Sequence, residues 1–97
     1  MSNAVDPAAL TARAEQRDMD ELRRWLTARI AFYLDIDAGS IDPDTDLASY
    51  GLDSVYALSV VSDMQDRLGQ DVDETAVRRC GDVNGLARYM RSLTDGR

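Results

Sequence analysis

Apolar residues recur along the chain mainly at three- and four-residue spacings, which is typical of amphipathic helices. The first such pattern predicts a helix from about Asp20 to Leu34, with Asp18 or Asp20 as its N-cap. Its apolar positions are Leu22, Trp25, Leu26, Ile30 and Tyr33. The two aromatic rings in this set are expected to pack in a core.

A second pattern predicts a helix from Ser54 to Leu68, with Ser54 as N-cap and Gly69 as C-cap. The predicted apolar face consists of Val55, Ala57, Leu58, Val60, Val61, Met64 and Leu68. The side chains expected to point outward are Tyr56, Ser59, Asp63, Asp66 and Arg67.

Two shorter helices are predicted after Gly69. The third begins after Asp73 as cap and stops at Gly81, and the fourth runs from Asp82 as cap to about Leu93. No segment alternates apolar and polar residues as a strand would. The sequence therefore predicts an all-α four-helix bundle with a short third helix.

The predicted helices leave two segments without a helical pattern. Residues 1–17 are small and polar and are interpreted as a flexible tail or linker, in which Ser2-Asn3-Ala4 could be a cloning remnant. A folded domain would then span 18–94 and a C-terminal tail 95–97. The long loop from Asp35 to Leu52 is expected to be held to the core by its apolar residues, Ile36, Ile41 and Leu47.

Composition narrows the function classes. A chain of 97 residues predicts one domain, and its net charge of −7 disfavours nucleic acid and favours basic protein partners. A single cysteine, Cys80, permits no internal disulfide, and no signal peptide or membrane span is apparent. A cytoplasmic monomer is the expectation.

The stretch Gly51-Leu52-Asp53-Ser54-Val55 stands before the second predicted helix. The chain has no histidine, so Ser54 lacks the usual base of a catalytic serine, and the spacing differs from the Gly-x-Ser-x-Gly elbow of hydrolases. An exposed serine that is not activated fits a residue modified by another enzyme. No enzymatic activity is expected.

Gly51-x-Asp53-Ser54-Val55 followed by an apolar helix resembles the signature of acyl carrier proteins, and Tyr50 to Leu58 is similar to bacterial polyketide-synthase carriers. The resemblance covers about Asp20 to Leu93. It implies a 4'-phosphopantetheine arm, taken from coenzyme A, on Ser54. A phosphodiester there would lie at a helix N-terminus, where free N–H groups and the helix dipole favour negative charge.

The resemblance also implies partners in polyketide or fatty-acid-type biosynthesis. They are a phosphopantetheinyl transferase, an acyl-loading enzyme (an adenylate-forming ligase or an acyltransferase) and a ketosynthase or other synthase enzyme. Asp53 and the outer face of the second helix, with Tyr56, Asp63 and Asp66, would contact them. The third helix departs from the family pattern because Arg78 and Arg79 make it basic, which leaves its roles in partner contact and acyl shelter open.

Two alternatives without covalent modification stay open at the level of sequence. One is an acidic helical interaction module, and the other is a calcium-responsive module built on Asp42, Asp44 and Asp46. The calcium-loop pattern fails at position six, where Leu47 replaces glycine, and at position twelve, where Asp53 replaces glutamate. No metal site is therefore predicted.

Overall fold

The computed structural model describes residues 6–95 as four α-helices without a strand in that range. The helices are α1 (Pro7–Leu34), α2 (Ser54–Leu68), α3 (Glu74–Cys80) and α4 (Val83–Asp95). The predicted all-α bundle, with a long first loop and a short third helix, is confirmed. Among the helices of residues 6–95, none combines the length and apolar content needed to cross a bilayer.

The start of α1 differs from the prediction, since the helix begins at Pro7 and not near Asp20. Asp6 caps it by accepting a hydrogen bond from the Ala8 N–H (3.1 Å), and proline is well suited to a first helical position because it needs no N–H partner there. The described part of 1–17 is thus helical, while Ser2-Asn3-Ala4 lies outside the described residues. The division into a tail and a domain at residue 18 stays a prediction.

Ion pairs join the early part of α1 to the last helix. Arg91 of α4 contacts the carboxylates of Glu15 (3.7 Å) and Asp18. The paired residues are far apart in the sequence, so the apolar spacing of α1 could not predict these ion pairs.

The core lies where all four helices meet. Its most completely buried large side chains are Leu26, Ile30, Val60, Met64, Val83, Leu86 and Met90. Full burial of one such side chain stabilises the fold by about 1.5–3 kcal/mol before entropy is counted. The long loop is held to this core, as predicted, by buried Ile41 and Leu47, with Ile36 partly buried.

Two short 3-10 helices, Ala38–Ser40 and Leu47–Tyr50, interrupt the loop that the sequence left without structure. Backbone hydrogen bonds join the loop to the α3–α4 turn: the Leu47 N–H donates to the Gly81 carbonyl (2.7 Å) and the Asn84 N–H to the Pro43 carbonyl (3.0 Å). The loop is thereby fixed at Pro43 and Leu47, a few residues before α2 begins.

The predicted caps of the shorter helices are confirmed. Asp73 accepts a hydrogen bond from the Thr75 N–H (2.9 Å) at the start of α3. Asp82 accepts one from the Gly85 N–H (2.7 Å) in the first turn of α4. Each aspartate satisfies a backbone donor that the helix itself cannot. Gly69 ends α2 in the left-handed conformation (φ 68°), also as predicted.

Candidate functional site

Ser54 is the first residue of α2 and follows a sharply turned segment. Gly51 ends the preceding 3-10 helix at φ 97°, a left-handed conformation that L side chains rarely adopt, and its N–H donates back to the Ala48 carbonyl (3.1 Å). The chain then extends through Asp53 into the helix. This turn places Ser54 at an exposed corner of the bundle.

The N-cap of α2 is Asp53, so the prediction that Ser54 caps the helix is wrong. One carboxylate oxygen of Asp53 accepts hydrogen bonds from the N–H groups of Val55 and Tyr56, both at 3.0 Å. The cap must have non-helical backbone angles, and Asp53 is extended whereas Ser54 is already helical. Two of the N–H groups expected to face a phosphate are therefore engaged by Asp53.

The Ser54 hydroxyl is exposed and makes no hydrogen bond to any residue within 6–95. Two serines of the long loop differ, since the hydroxyls of Ser40 and Ser49 donate to the carbonyls of Asp37 and Asp46 (both 2.6 Å). A hydroxyl without a hydrogen-bond partner at a helix start can be modified by another enzyme without loss of a structural contact.

A cavity of about 210 Å³ opens beside Ser54, between α2, α3 and the end of the long loop. Its apolar lining includes Leu47, Leu52, Ala57, Val60, Val77 and Leu86. Asp46, Asp53 and Arg78 also line it. The cavity could not be predicted from the sequence, because it arises where separate elements pack together.

Three apolar side chains next to Ser54 are exposed to solvent. Val55 has 68% of its surface exposed, Leu58 50% and Tyr56 38%. The prediction that Val55 and Leu58 belong to the core face was wrong, because Val55 lies nearly opposite Ala57 on a helix of 3.6 residues per turn. The predicted exposure of Tyr56 is confirmed. Sequence reasoning missed the other two as surface residues, although helical phase relative to Val60 and Met64 would have separated them.

Asp63 lies in an ion pair between α1 and α2 instead of pointing freely outward. Its carboxylate accepts hydrogen bonds from Arg29 Nε (2.9 Å) and from the Tyr33 hydroxyl (2.6 Å). The hydrogen bond with Tyr33, and then that with Asp63, raises the pKa of Arg29. The predicted outward orientation of Asp63 is thus wrong, whereas Asp66 is exposed as expected.

The acidic loop residues make structural contacts. Asp42 accepts a hydrogen bond from the Asp44 N–H (2.8 Å), Asp44 accepts one from the Asn84 amide, and Asp46 accepts one from the Ala48 N–H (3.1 Å). Within residues 6–95 no three acidic, histidine or cysteine side chains come together as a group that could hold a metal ion. Asp42 and Asp46 thus serve as Asx-turn and cap residues, while Asp44 joins the loop to α4.

A four-helix bundle with a free serine at the start of its second helix is the arrangement of a carrier domain. Residues 24–90 match the model of the family described as "Phosphopantetheine attachment site". The chain belongs to this family. It is an acyl carrier domain, and the cofactor of such domains is a covalently attached 4'-phosphopantetheine.

Similar proteins agree with this assignment. The acyl carrier protein TtuC of Teredinibacter turnerae is 27% identical over 71 residues, covering 73% of this chain and 82% of the relative. A free-standing peptidyl carrier protein from an Acinetobacter baumannii secondary metabolic pathway is 30% identical, with a TM-score of 0.75 over 78% of this chain and 95% of its own. BlmI, a type-II acyl carrier protein of Streptomyces verticillus, shares the fold with a TM-score of 0.77 at 21% identity, covering 84% of this chain and 96% of its own.

The residues present fit the cofactor. Ser54 offers a free hydroxyl, and the apolar cavity beside it can shelter part of a long, mostly uncharged arm. Carrier proteins of this family interact with phosphopantetheinyl transferases and with synthase enzymes. The family assignment favours the carrier over the two alternatives without covalent modification.

Proposed function

We propose that Ser54 is the residue to which 4'-phosphopantetheine is attached, and that the domain carries acyl intermediates in a secondary metabolic pathway of polyketide type. The observation that carries the proposal is the exposed Ser54 hydroxyl, which is free of hydrogen bonds to residues 6–95 and lies at a helix start that Asp53 already caps. The relatives include both acyl and peptidyl carriers, so the fold suits either cargo.

In the transfer reaction, the Ser54 oxygen forms a bond to the phosphorus of coenzyme A that bears the pantetheine. The pyrophosphate bond breaks, adenosine 3',5'-bisphosphate leaves, and the hydroxyl proton passes to a base on the transferase. The chain contains no histidine, the usual base for a serine hydroxyl. Once attached, the group supplies a terminal thiol that holds acyl groups as thioesters.

The domain itself would have no catalytic activity. Its partners would be a phosphopantetheinyl transferase, an acyl-loading enzyme (an adenylate-forming ligase or an acyltransferase) and a ketosynthase or another synthase enzyme, in the cytoplasm. Asp53, Tyr56 and Asp66 would contact them, together with the exposed side chains of Val55 and Leu58. An aromatic and two aliphatic side chains beside the modified residue suit a small partner interface.

The test is to incubate the protein with coenzyme A and a broad-specificity phosphopantetheinyl transferase and to measure intact mass. Ser54→Ala should remove the mass gain completely while the circular dichroism spectrum and Tm stay close to those of the wild type, because the cap is Asp53. Ser62→Ala is the matched control, since Ser62 is an exposed serine on the same helix. Modification of Ser54→Ala, or none of the wild type, would overturn the proposal.

A further inference from the structure

We propose that Tyr50 is a positioning residue for attachment at Ser54, through a hydrogen bond that fixes the part of the long loop from which α2 begins. This inference rests on the proposed attachment at Ser54. Tyr50 acts through the turn at Gly51 and not on the reacting atoms. Three observations support the role: the hydrogen bond of its hydroxyl, a chain of hydrogen bonds from the loop to α4, and the few hydrogen bonds that hold the chain after Tyr50.

The hydroxyl of Tyr50 joins the end of the long loop to its acidic middle part. It accepts a hydrogen bond from the Asp42 N–H (2.8 Å), which lies eight residues earlier in the chain. The Tyr50 ring is half-buried and packs against the core, so the hydroxyl is held on a fixed support. Tyr50 is also the last residue of its 3-10 helix, and Gly51 follows it with the left-handed turn. The bond therefore influences where the chain leaves the loop toward Ser54.

A chain of hydrogen bonds fixes the Asp42 segment, in turn, to the bundle. The Asp42 carboxylate accepts a hydrogen bond from the Asp44 N–H (2.8 Å), and the Asp44 carboxylate accepts one from the side-chain amide of Asn84. The Asn84 N–H donates to the Pro43 carbonyl (3.0 Å), and its side-chain oxygen accepts from Arg23 Nε (2.6 Å). Because Asn84 lies in α4 and Arg23 in α1, two helices hold this part of the loop in place.

Few hydrogen bonds hold the chain between this tyrosine and α2. The N–H groups of Gly51 and Leu52 donate back to carbonyls of the preceding 3-10 helix (3.1 and 3.2 Å). Within residues 6–95, no hydrogen bond joins Gly51, Leu52 or Asp53 to α1, α3 or α4. The first three residues of α2 are exposed. The placement of the first turn of α2 therefore depends on the 3-10 helix, which the tyrosine hydroxyl ties to the rest of the loop.

The role of this anchor is to present the Ser54 hydroxyl in one arrangement. The transferase must bring the Ser54 oxygen up to a phosphorus of coenzyme A, which requires a defined position of the helix start. When only a fraction of a protein has the competent arrangement, its apparent affinity falls by that fraction. Loss of the Tyr50 hydroxyl should therefore raise the KM for the carrier. It should leave kcat unchanged, because the bound carrier is already in the competent arrangement.

The experiment compares Tyr50→Phe with Tyr89→Phe. Tyr89 is the matched control, because its hydroxyl also accepts a hydrogen bond from an aspartate N–H, that of Asp73 (3.0 Å), before α3. Both substitutions remove one hydroxyl and one bond of the same kind, and only the first affects the long loop. A broad-specificity phosphopantetheinyl transferase and coenzyme A modify each protein over a range of carrier concentrations. Intact mass measures the product, at a temperature where circular dichroism shows the variants to be folded.

Tyr50→Phe should raise KM about two- to tenfold with kcat unchanged, the range that the net contribution of one hydrogen bond allows. It should also move the amide chemical shifts of residues 51–54. Tyr89→Phe should leave both kinetic constants and these shifts unchanged. Asn84→Ala is a second variant, which removes the side-chain bond to Asp44 and should raise KM in the same direction.

An unchanged KM for Tyr50→Phe, a change in kcat alone, or an equal rise in KM for Tyr89→Phe would overturn the inference. If Tyr50→Phe does not fold, Asn84→Ala decides by the same criteria. A wild-type protein that takes up no arm would instead refute attachment at Ser54. The intact mass of the wild type separates these two failures before any KM is measured.

Discussion

At the scale of single residues, the Asp53 carboxylate accepts the backbone N–H groups that begin α2, while the neighbouring Ser54 hydroxyl has no structural partner among residues 6–95. Sequence alone cannot decide which of two adjacent cap-forming residues is the cap, because both are favourable at that position. The backbone angles decide it: Asp53 is extended, at φ −101° and ψ −176°.

Two substitutions of Asp53 can separate its role as the N-cap of α2 from the effect of its negative charge. Asp53→Ala should lower the free energy of unfolding by about 1 kcal/mol because the cap is lost, whereas Asp53→Asn should keep stability close to that of the wild type. Both should slow transfer of the arm if the carboxylate contacts the transferase. Urea denaturation and a time course of intact mass measure the two effects, and equal destabilisation by Ala and Asn would contradict the assigned cap.

Cys80 is expected to react slowly with alkylating agents. Burial raises the pKa of its thiol above the ordinary value of 9.0, and the nearby Asp82 carboxylate raises it further. Because the thiolate is the reactive form, alkylation by iodoacetamide should be slower than for free cysteine and should still increase with pH above 9. Peptide mass spectrometry measures the rate, with Cys80→Ser as the blank. A plateau below pH 9 would contradict the raised pKa.

At the scale of elements, α1 and α2 are joined by the contacts of Tyr33 and Arg29 with Asp63. Tyr33→Phe removes the hydrogen bond to the half-buried Asp63 carboxylate and the longer one accepted from Arg29 (3.3 Å). It should cost about 1 kcal/mol, which corresponds to a fall in Tm of about 4–8 °C in a domain of this size. Tyr56→Phe is the control, since its exposed ring contacts no such group. Similar melting temperatures for both variants would show that the contact adds no stability.

The helix ends that local chemistry determines could be predicted from the sequence. Asp73, Asp82 and Gly69 act within one turn of their own position, so their residue types suffice. The start of α1 could not be predicted in this way, because no apolar pattern precedes Met19 and the ion pairs of Arg91 come from the far end of the chain.

For the candidate site too, some features could be predicted from the sequence and others could not. The sequence singled out Ser54 and Asp53 by their place before an apolar helix. It could not give the cavity, which needs the loop, α2, α3 and α4 to be packed together, nor the partner of Asp63, which lies on another helix. Val55 and Leu58 were assigned to the core because they are apolar, without regard to where they fall around the helix. Both are exposed.

At the scale of the whole molecule, the net charge of −7 should speed encounter with basic enzymes. Asp66→Arg should slow arm transfer at low salt through the association rate, and the difference from the wild type should shrink as salt screens the charges. The same charge reversal at Asp63 would be unsuitable, because Asp63→Arg would break the contacts with Arg29 and Tyr33. Asp66 is exposed and separable from them.

The matched control for Asp66→Arg is Asp71→Arg, which changes the net charge equally from an exposed position outside α2. Stopped-flow or quenched kinetics of arm transfer at two salt concentrations compare the variants. We expect Asp66→Arg to slow transfer more than Asp71→Arg. Equal slowing would assign the effect to overall charge, and no slowing at low salt would exclude a contact at Asp66.

Because the N-cap of α2 is Asp53, residue 54 can be replaced and chemically labelled without loss of the cap. A Ser54→Cys thiol would lie exposed at the start of a rigid helix, while the native thiol of Cys80 is held back by its raised pKa. A maleimide-linked dye, crosslinker or synthetic pantetheine analogue could then be joined at this one point through a thioether that no hydrolase of natural thioesters would cleave. The domain would serve as a stable stand-in for a loaded carrier in structural studies of its partner enzymes.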